Sequence, residues 1–293
     1  MRIFLTGATG LIGSAIVPEL LRAGHQVLGL TRSEAGANFL CDAGADVHRG
    51  DLKDIESLRS GAVQSDAVIH CAFNHDSANW KESSDEEKRA IAALGTSLAG
   101  SDRLLIVSSG LGLPSPTRPV TEDVDPPANS PRAPELAAQA LIQQGVAVNV
   151  VRLPQVHNTL KQGLVTFLIA IARDKGVSAY IAEGLNRWPA AHVLDVAHLY
   201  RLALEKQEAG ARYHAVAEEG VALRDIAEAI GHGLGLPVVS IPQERADTHF
   251  GFYAKYAGLD LSASSALTQQ RLGWHPSGPG LLQDLTSMDY SLN

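Results

Sequence analysis

Through the first half of the chain, short apolar runs alternate with stretches whose apolar residues recur at helical spacing. This rhythm predicts βαβ units around a parallel sheet. Arg2–Thr6 reads as a strand, Ile12–Ala23 as a helix ended by Gly24, and Gln26–Leu30 as a second strand. A short strand is expected near Ala45–His48, followed by more apolar ones at Ala67–Cys71 and Leu104–Val107. Leu136–Gln144 then reads as a helix and Val146–Val151 as the next strand. Several of these runs are β-branched and apolar on both sides, which suits strands buried between helices.

The second half is less regular. Val165–Arg173, Val193–Glu205 and Leu223–Leu234 are expected as helices, with Arg212–Val216 and Pro237–Ile241 as strands, and the tail from Ser262 mixes turns with short helices. Seven of the 14 prolines lie between Pro114 and Pro134, a density that forbids regular helix and most sheet pairing. A surface loop is the expected outcome, with a domain linker as the alternative. The regular rhythm resumes at Leu136, which favours the loop.

Composition narrows the function classes. The chain has 24 Lys and Arg against 32 Asp and Glu, a net charge of −8, so a broad basic footprint for nucleic acid is absent. No apolar run reaches the ~18–20 residues of a membrane span. The start, Met1-Arg2-Ile3-Phe4-Leu5-Thr6, has no long apolar stretch before a small-residue cleavage site. Cys41 and Cys71 form neither a disulfide framework nor a metal cluster. The expectation is a soluble, cytoplasmic protein with a small-molecule substrate and no nucleic-acid or membrane partner. Monomer and homodimer both stay open.

The sharpest local signal is Thr6-Gly7-Ala8-Thr9-Gly10-Leu11-Ile12-Gly13, set between the first strand and the first helix. Gly7 permits a tight turn, Gly10 lets backbone approach a pyrophosphate, and Gly13 allows close helix–strand packing. The helix start offers free N–H groups and a positive dipole end to the phosphates. The fold class expected is therefore α/β, a Rossmann-type doubly wound parallel sheet with a smaller mixed C-terminal substrate lobe. The dinucleotide-binding domain is assigned to residues 1–155, with 187–216 returning to it. Residues 156–186 and 217–293 form the substrate lobe.

At the end of the second strand an acidic residue would bind a ribose 2′-OH and favour NAD. Thr31-Arg32-Ser33 stands there instead. A guanidinium pairs with a 2′-phosphate and lies flat on adenine, and Ser33 adds a hydroxyl donor. NADP(H) is thus expected ahead of NAD, unless Arg32 only ends a strand in solvent.

The Gly-x-x-Gly-x-x-Gly spacing after Thr6 resembles the extended short-chain dehydrogenase/reductase family, of the epimerase/dehydratase kind. The resemblance runs along nearly the whole chain. It includes Arg152-Leu153-Pro154-Gln155-Val156-His157, His192-Val193-Leu194-Asp195-Val196-Ala197, and the late Arg271-Leu272-Gly273-Trp274-His275-Pro276. It implies cofactor contacts at Gly7, Thr9, Gly10, Leu11, Ile12, Gly13, Thr31, Arg32 and Ser33. It implies further contacts at Asp51 and Leu52, Ala72 and Phe73, Ser108, and Pro154, Gln155 and Val156. Asp51 is equally placed to cap the helix beginning at Ile55. Cys71 reads as a small buried packing residue. His192 and Asp195 read as structural.

Members of that family carry a Ser or Thr after the fifth strand and a Tyr-x-x-x-Lys on the next helix. Here Pro131 falls at the Tyr position and Glu135 at the Lys position, and the first tyrosine of the chain is Tyr180. Proline donates no proton, and a carboxylate inverts the charge the Lys would bring. Three groups are candidates for the missing proton donor. His75 lies in Asn74-His75-Asp76 after the fourth strand, His157 is expected to face the cleft, and Ser109 follows the fifth strand. Tyr253 and Lys161 are more distant candidates, and no metal ligand set is expected. The first functional reading is an NADP(H)-dependent oxidoreductase acting on a carbonyl or alcohol of a small organic molecule. The alternative is a non-catalytic NADP(H)-binding regulator or sensor, and a third is a nucleotide-sugar epimerase or dehydratase.

Overall fold

The computed structural model describes residues 1–75, 79–112, 117–128 and 134–292. The first half forms β1 (Arg2–Thr6), α1 (Gly13–Arg22), β2 (Gln26–Thr31), α2 (Glu34–Ala43), β3 (Asp46–Arg49), α3 (Ile55–Val63) and β4 (Ala67–His70). It continues with α4 (Trp80–Leu98), β5 (Leu105–Gly110), α5 (Pro134–Gln143) and β6 (Val148–Leu153). The second half begins with β7 (Gln155–His157), α6 (Val165–Lys175), β8 (Ser178–Ile181), β9 (Arg187–His192), α7 (Val193–Lys206) and β10 (Arg212–His214). Then come β11 (Glu218–Ala222), α8 (Leu223–Leu234), β12 (Val238–Ile241), α9 (Ala246–Phe250), α10 (Ala254–Ala257), α11 (Ala266–Leu272) and α12 (Leu281–Ser287).

Successive residues of β1 point to opposite faces of a sheet and enter different cores. Ile3 and Leu5 pack with Ile16, Leu20, Leu199 and Ala203 of α1 and α7, whereas Phe4 packs with Leu58, Ala62, Ile91 and Leu94 of α3 and α4. Each fully buried side chain of this kind contributes about 1.5–3 kcal/mol over its exposed state. The sheet has seven strands in the order β10-β6-β5-β4-β1-β2-β3, every neighbouring pair parallel. Strand order reverses between β1 and β4, and an open α/β sheet forms its ligand crevice beyond the strand ends at such a point.

After β6 the chain leaves this sheet. Strands β11, β9 and β7 form a second, mixed sheet, and β12 pairs with β8 in a third. Helix α7 and strand β10 return to the large sheet. Trp188, Ile226, Phe250, Leu281 and Leu285 form the core of the smaller lobe. Strands β7 and β9 connect the two lobes: Val156 and Ala191 belong to the large core, while Trp188 and Ala190 belong to the small one.

Two helices depart from the expected pattern. Helix α2 buries only Gly36, Ala37 and Leu40, and is defined by its ends, Ser33 Oγ accepting from Gly36 N–H and Gly44 closing it at φ +84°. Helix α4 buries Ser83, Ser84, Glu86 and Glu87 beside its apolar residues. Of the proline-rich segment, the described part is a loop laid on the C-terminal region. Val120 N–H donates to Ser262 O at 2.9 Å, and Ser264 N–H donates to Val120 O at 2.8 Å. Among the described residues no helix is long and apolar enough to cross a membrane.

Candidate functional site

The glycine loop closes on the end of β4. Gly7 has φ +71°, and a Cβ there would lie 2.8 Å from Ala72 N. A Cβ on Gly13 would lie 2.1 Å from Gly7 O, so helix and loop meet backbone to backbone. At Gly10 the only near atom is Gly7 O, at 3.3 Å, which leaves that flank open. Thr6 Oγ1 hydrogen-bonds His70 Nδ1 at 2.8 Å and accepts from Ala72 N–H at 3.4 Å, fixing the two strand ends together. Thr9 and Gly10 are exposed, Leu11 and Ile12 are half-buried, and no side chain caps the start of α1. Gly10, Ser14 and Ala15 N–H donate to backbone oxygens, and the N–H groups of Leu11, Ile12 and Gly13, on this open flank, fit the pyrophosphate of a dinucleotide.

Along the same edge, the Arg32 side chain is 82% exposed, with Nη1 3.4 Å from Asp51 Oδ2. Asp51 Oδ1 also accepts from Lys53 N–H at 3.0 Å, so the carboxylate organises its own turn, and the cap of α3 is Asp54. Thr31 is buried, Leu52 packs on the core beneath, and Ser33 caps α2 while keeping its own proton to donate. Arg32, Ser33 and Asp51 thus flank the sheet end where an adenosine would lie.

A cavity of about 260 Å³ opens at the carboxyl ends of β5 and β6. Apolar and aromatic residues make most of its wall, among them Trp80, Leu111, Leu164, Phe167, Trp188, Phe252, Tyr253 and Tyr256. Its polar lining includes His75, Ser109, Glu135 and Gln155, and none of the described lining residues is Lys or Arg. Phe167 and Tyr253 stack at 4.4 Å, and burial pushes the Tyr253 phenol up to about 12. Phe73 stands behind the wall, its ring edge-on to Trp80 at 5.1 Å and to His75 at 4.8 Å.

Ser109 and Glu135 meet at one end of this cavity. The β5–β6 register sets Ser109 beside Arg152, and α5 brings Glu135 over both. Ser109 Oγ donates to Glu135 Oε1 at 2.9 Å. Arg152 donates to the same carboxylate twice, Nε to Oε1 at 3.0 Å and Nη2 to Oε2 at 2.7 Å. Glu135 is 3% exposed and Arg152 is fully buried. Behind them Arg152 Nη1 lies 3.3 Å from His214 Nε2, and His214 Nδ1 donates to Ser264 O at 2.7 Å. Burial pushes His214 down to about 4, so at neutral pH it is an uncharged acceptor for the guanidinium.

Other expected positions lie elsewhere. His157 does not face the cleft: its ring is fully buried, Nδ1 is 2.7 Å from Asp284 Oδ2, and burial, opposed by Asp284, lowers its pKa. The cause is the strand alternation of β7, which turns His157 toward α12. Ser108 is 4% exposed and its hydroxyl is engaged in the interior, donating to His70 O at 2.8 Å and lying 2.7 Å from Tyr200 Oη. It does not line the cavity at the ends of β5 and β6. Val156 is likewise in the large core, whereas Pro154 and Gln155 line the cavity. Ala72 is half-buried beside the glycine loop. Burial pushes the Cys71 thiol up to about 11, which suits a packing role. Asp195 accepts from Ser277 and Gly278 N–H, tying the tail to α7. Asp76 and Pro131 lie outside the described residues.

Residues 3–217 match the family model of the NAD dependent epimerase/dehydratase family. The chain belongs to this family. An uncharacterised protein of Schizosaccharomyces pombe is 44% identical over 99% of this chain and 100% of its own length. One of Saccharomyces cerevisiae is 41% identical over 100% of both. The crystal structure of UDP-glucose-4-epimerase from Stenotrophomonas maltophila, with bound NAD and formylated UDP-arabinopyranose, superimposes with a TM-score of 0.78 at 18% identity. That match spans 100% of this chain and 97% of the epimerase chain, and it is a likeness of fold. As an epimerase/dehydratase family member, the protein has an NAD(P)-binding fold. Sequence reasoning placed Glu135 by alignment but missed its pairing with Arg152. The available signal was a lone Glu opening one helix and a lone Arg ending the neighbouring strand. The aromatic wall drawn from α4, α6, β9 and residues 252–256 had no local signal.

Proposed function

We propose that this protein is an NADP(H)-dependent oxidoreductase acting on a carbonyl or alcohol group of a small, largely apolar molecule. The observation that carries this reading is the cavity at the carboxyl edge of β5 and β6, apolar over most of its wall and polar at Ser109, Glu135 and His75. Such a pocket, with a few convergent polar groups, is the usual form of a small-molecule site. Bound on the glycine loop, the dinucleotide supplies the hydride donor or acceptor. Arg32 and Ser33 hold its 2′-phosphate, and the open flank at Gly10 admits its pyrophosphate. Ala72 and Pro154 border its path. Of the proton-handling candidates, His75 and Ser109 line the cavity, and His157 does not.

Titration of the protein with NADPH and NADH, combined with a turnover screen of apolar aldehydes, ketones and alcohols, tests this reading. NADPH should bind more tightly than NADH, and Arg32→Ala should erase most of the difference. Equal losses for both cofactors would remove the 2′-phosphate assignment. Tight NADPH binding without turnover across the panel would support the non-catalytic regulator instead. That alternative draws on Glu135, whose carboxylate is tied to Arg152 where a cationic side chain would hold the cofactor ribose. The epimerase or dehydratase reading draws on the UDP-sugar in the structural neighbour. Arg and Lys side chains commonly pair with a nucleotide diphosphate, and the described lining of this cavity includes neither.

A further inference from the structure

Four charged side chains form two pairs at the corner where β2 and β3 end. Arg32 Nη1 lies 3.4 Å from Asp51 Oδ2, and Arg49 Nη2 donates to Glu34 Oε2 in the first turn of α2. Strand register places the second pair. Thr31 and Arg49 are partners across β2 and β3, and Gly50 N–H donates to Thr31 O at 3.2 Å. Paired residues of neighbouring strands share a face of the sheet. Thr31 faces α2, because a Cβ on Gly36 would lie 2.2 Å from Thr31 Oγ1. Arg49 therefore emerges on the α2 side, across from the residue that precedes Arg32. The same Gly36 Cβ would lie 3.1 Å from Thr9 Cγ2, so the glycine loop touches this turn as well. A dinucleotide with its pyrophosphate on that loop and its adenosine beside Arg32 and Asp51 would carry its ribose past the first turn of α2.

A ribose 2′-phosphate brings about two negative charges near neutral pH. Two guanidinium groups and two carboxylates cancel at this corner, so as paired they give a phosphate no charge advantage over a hydroxyl. Lys53 is directed to α4 instead, its Nζ 3.0 Å from Glu86 and 3.7 Å from Glu82. Asp51 is held in its turn by Lys53 N–H, whereas the Glu34 side chain is 79% exposed and free to swing into water. An exposed ion pair of this kind contributes little net stability, so Arg49 can exchange its partner. We propose that Arg49 is a second cation for the cofactor 2′-phosphate and that Glu34 is its displaceable counter-ion. Arg49 then donates to the phosphate in place of the Glu34 carboxylate, and Arg32 donates to the same group. Glu34 limits the preference for the phosphorylated cofactor, because its charge stays near the phosphate. The inference rests on the NADP(H) reading and adds the residues that set the strength of that preference.

The test is calorimetric binding of 2′,5′-ADP and 5′-AMP to the full chain, two probes that differ at the 2′-phosphate and need no turnover. The unsubstituted chain should prefer 2′,5′-ADP. Glu34→Gln should strengthen 2′,5′-ADP at least about threefold and leave 5′-AMP within about twofold. Adding Arg49→Ala to Glu34→Gln should then weaken 2′,5′-ADP about tenfold, again sparing 5′-AMP. The double variant excludes the effect of leaving Glu34 unpaired. Equal 2′,5′-ADP affinity in the single and double variants overturns the inference, because Arg49 would then do no more than neutralise Glu34. Unchanged 2′,5′-ADP affinity in Glu34→Gln overturns the counter-ion role. Weaker 5′-AMP binding by Glu34→Gln overturns it too, since Glu34 would then hold the ribose hydroxyl as a site for NAD does. Arg32→Ala separates the two readings. If it removes the preference and the Arg49 substitution does not, the NADP(H) reading stands and this inference falls. If the unsubstituted chain shows no preference for 2′,5′-ADP, both fall.

Discussion

Arg152 and Glu135 are charged side chains with almost no contact with solvent, and each is tolerable there only because of the other. Arg152→Met leaves a buried carboxylate without its cation and should cost about 3–5 kcal/mol, read as a lower urea midpoint. The double substitution Glu135→Leu with Arg152→Met should recover most of that loss, and a double variant as unstable as the single one would show that the charges are not coupled in this way. His214 adds a pH dependence. With a folded value near 4 against an ordinary 6.5, it binds more protons when unfolded across that interval, so stability falls as pH drops from 6.5 toward 4. The full effect is about 3 kcal/mol. His157, lowered by the same cause, acts in the same direction. Urea midpoints at pH 7 and pH 5 should therefore diverge less in His214→Gln than in the parent chain, and an identical slope would refute the assignment.

The glycine loop is a local device, and its requirements are geometric. Gly13→Ala would place a methyl group 2.1 Å from Gly7 O, with backbone on both sides of the contact, so α1 must move off β1. NADPH affinity should fall at least about tenfold, more than any loss of thermal stability explains, as measured by titration on the folded variant. Unchanged affinity would mean that α1 and the loop do not hold the phosphates. This loop was legible because everything that defines it lies within Thr6–Gly13. Strands β1, β2, β4, β5 and β6 were legible for a related reason, since burial on both faces leaves continuous apolar runs. Helix α4 was not, because its buried side includes Ser83, Ser84, Glu86 and Glu87. Glu86 reaches Lys53 Nζ at 3.0 Å, and a polar group satisfied by a residue 33 positions away leaves no periodic signal. The Ser109–Glu135–Arg152 cluster shares that difficulty, for its members come from three elements and meet only through strand register. His157 shows the converse: its place after an apolar strand suggested the cleft, and strand alternation turned it inward.

The chain folds as two lobes joined by β7 and β9, and the candidate cavity draws its walls from both. On the proposed reading, cofactor binding depends on the large-sheet lobe, through the glycine loop and Arg32. The cavity depends on the lobes keeping their relative position. One buried connection controls this from a distance. Asp284 on α12 accepts from His157 Nδ1 at 2.7 Å and lies 3.9 Å from His192 Nε2, so one carboxylate fastens the C-terminal helix to the end of β7 and sits beside the end of β9. Asp284→Ala removes that partner and leaves His157 Nδ1 without an acceptor, which should cost about 1–3 kcal/mol. The loss should be local: cleavage by protease after residue 275 should accelerate. NADPH affinity should stay within about twofold, because the glycine loop shares no partner with Asp284. A parallel loss of NADPH affinity would show that the two lobes unfold together, and that the smaller lobe is part of the cofactor site, not a wall set against it.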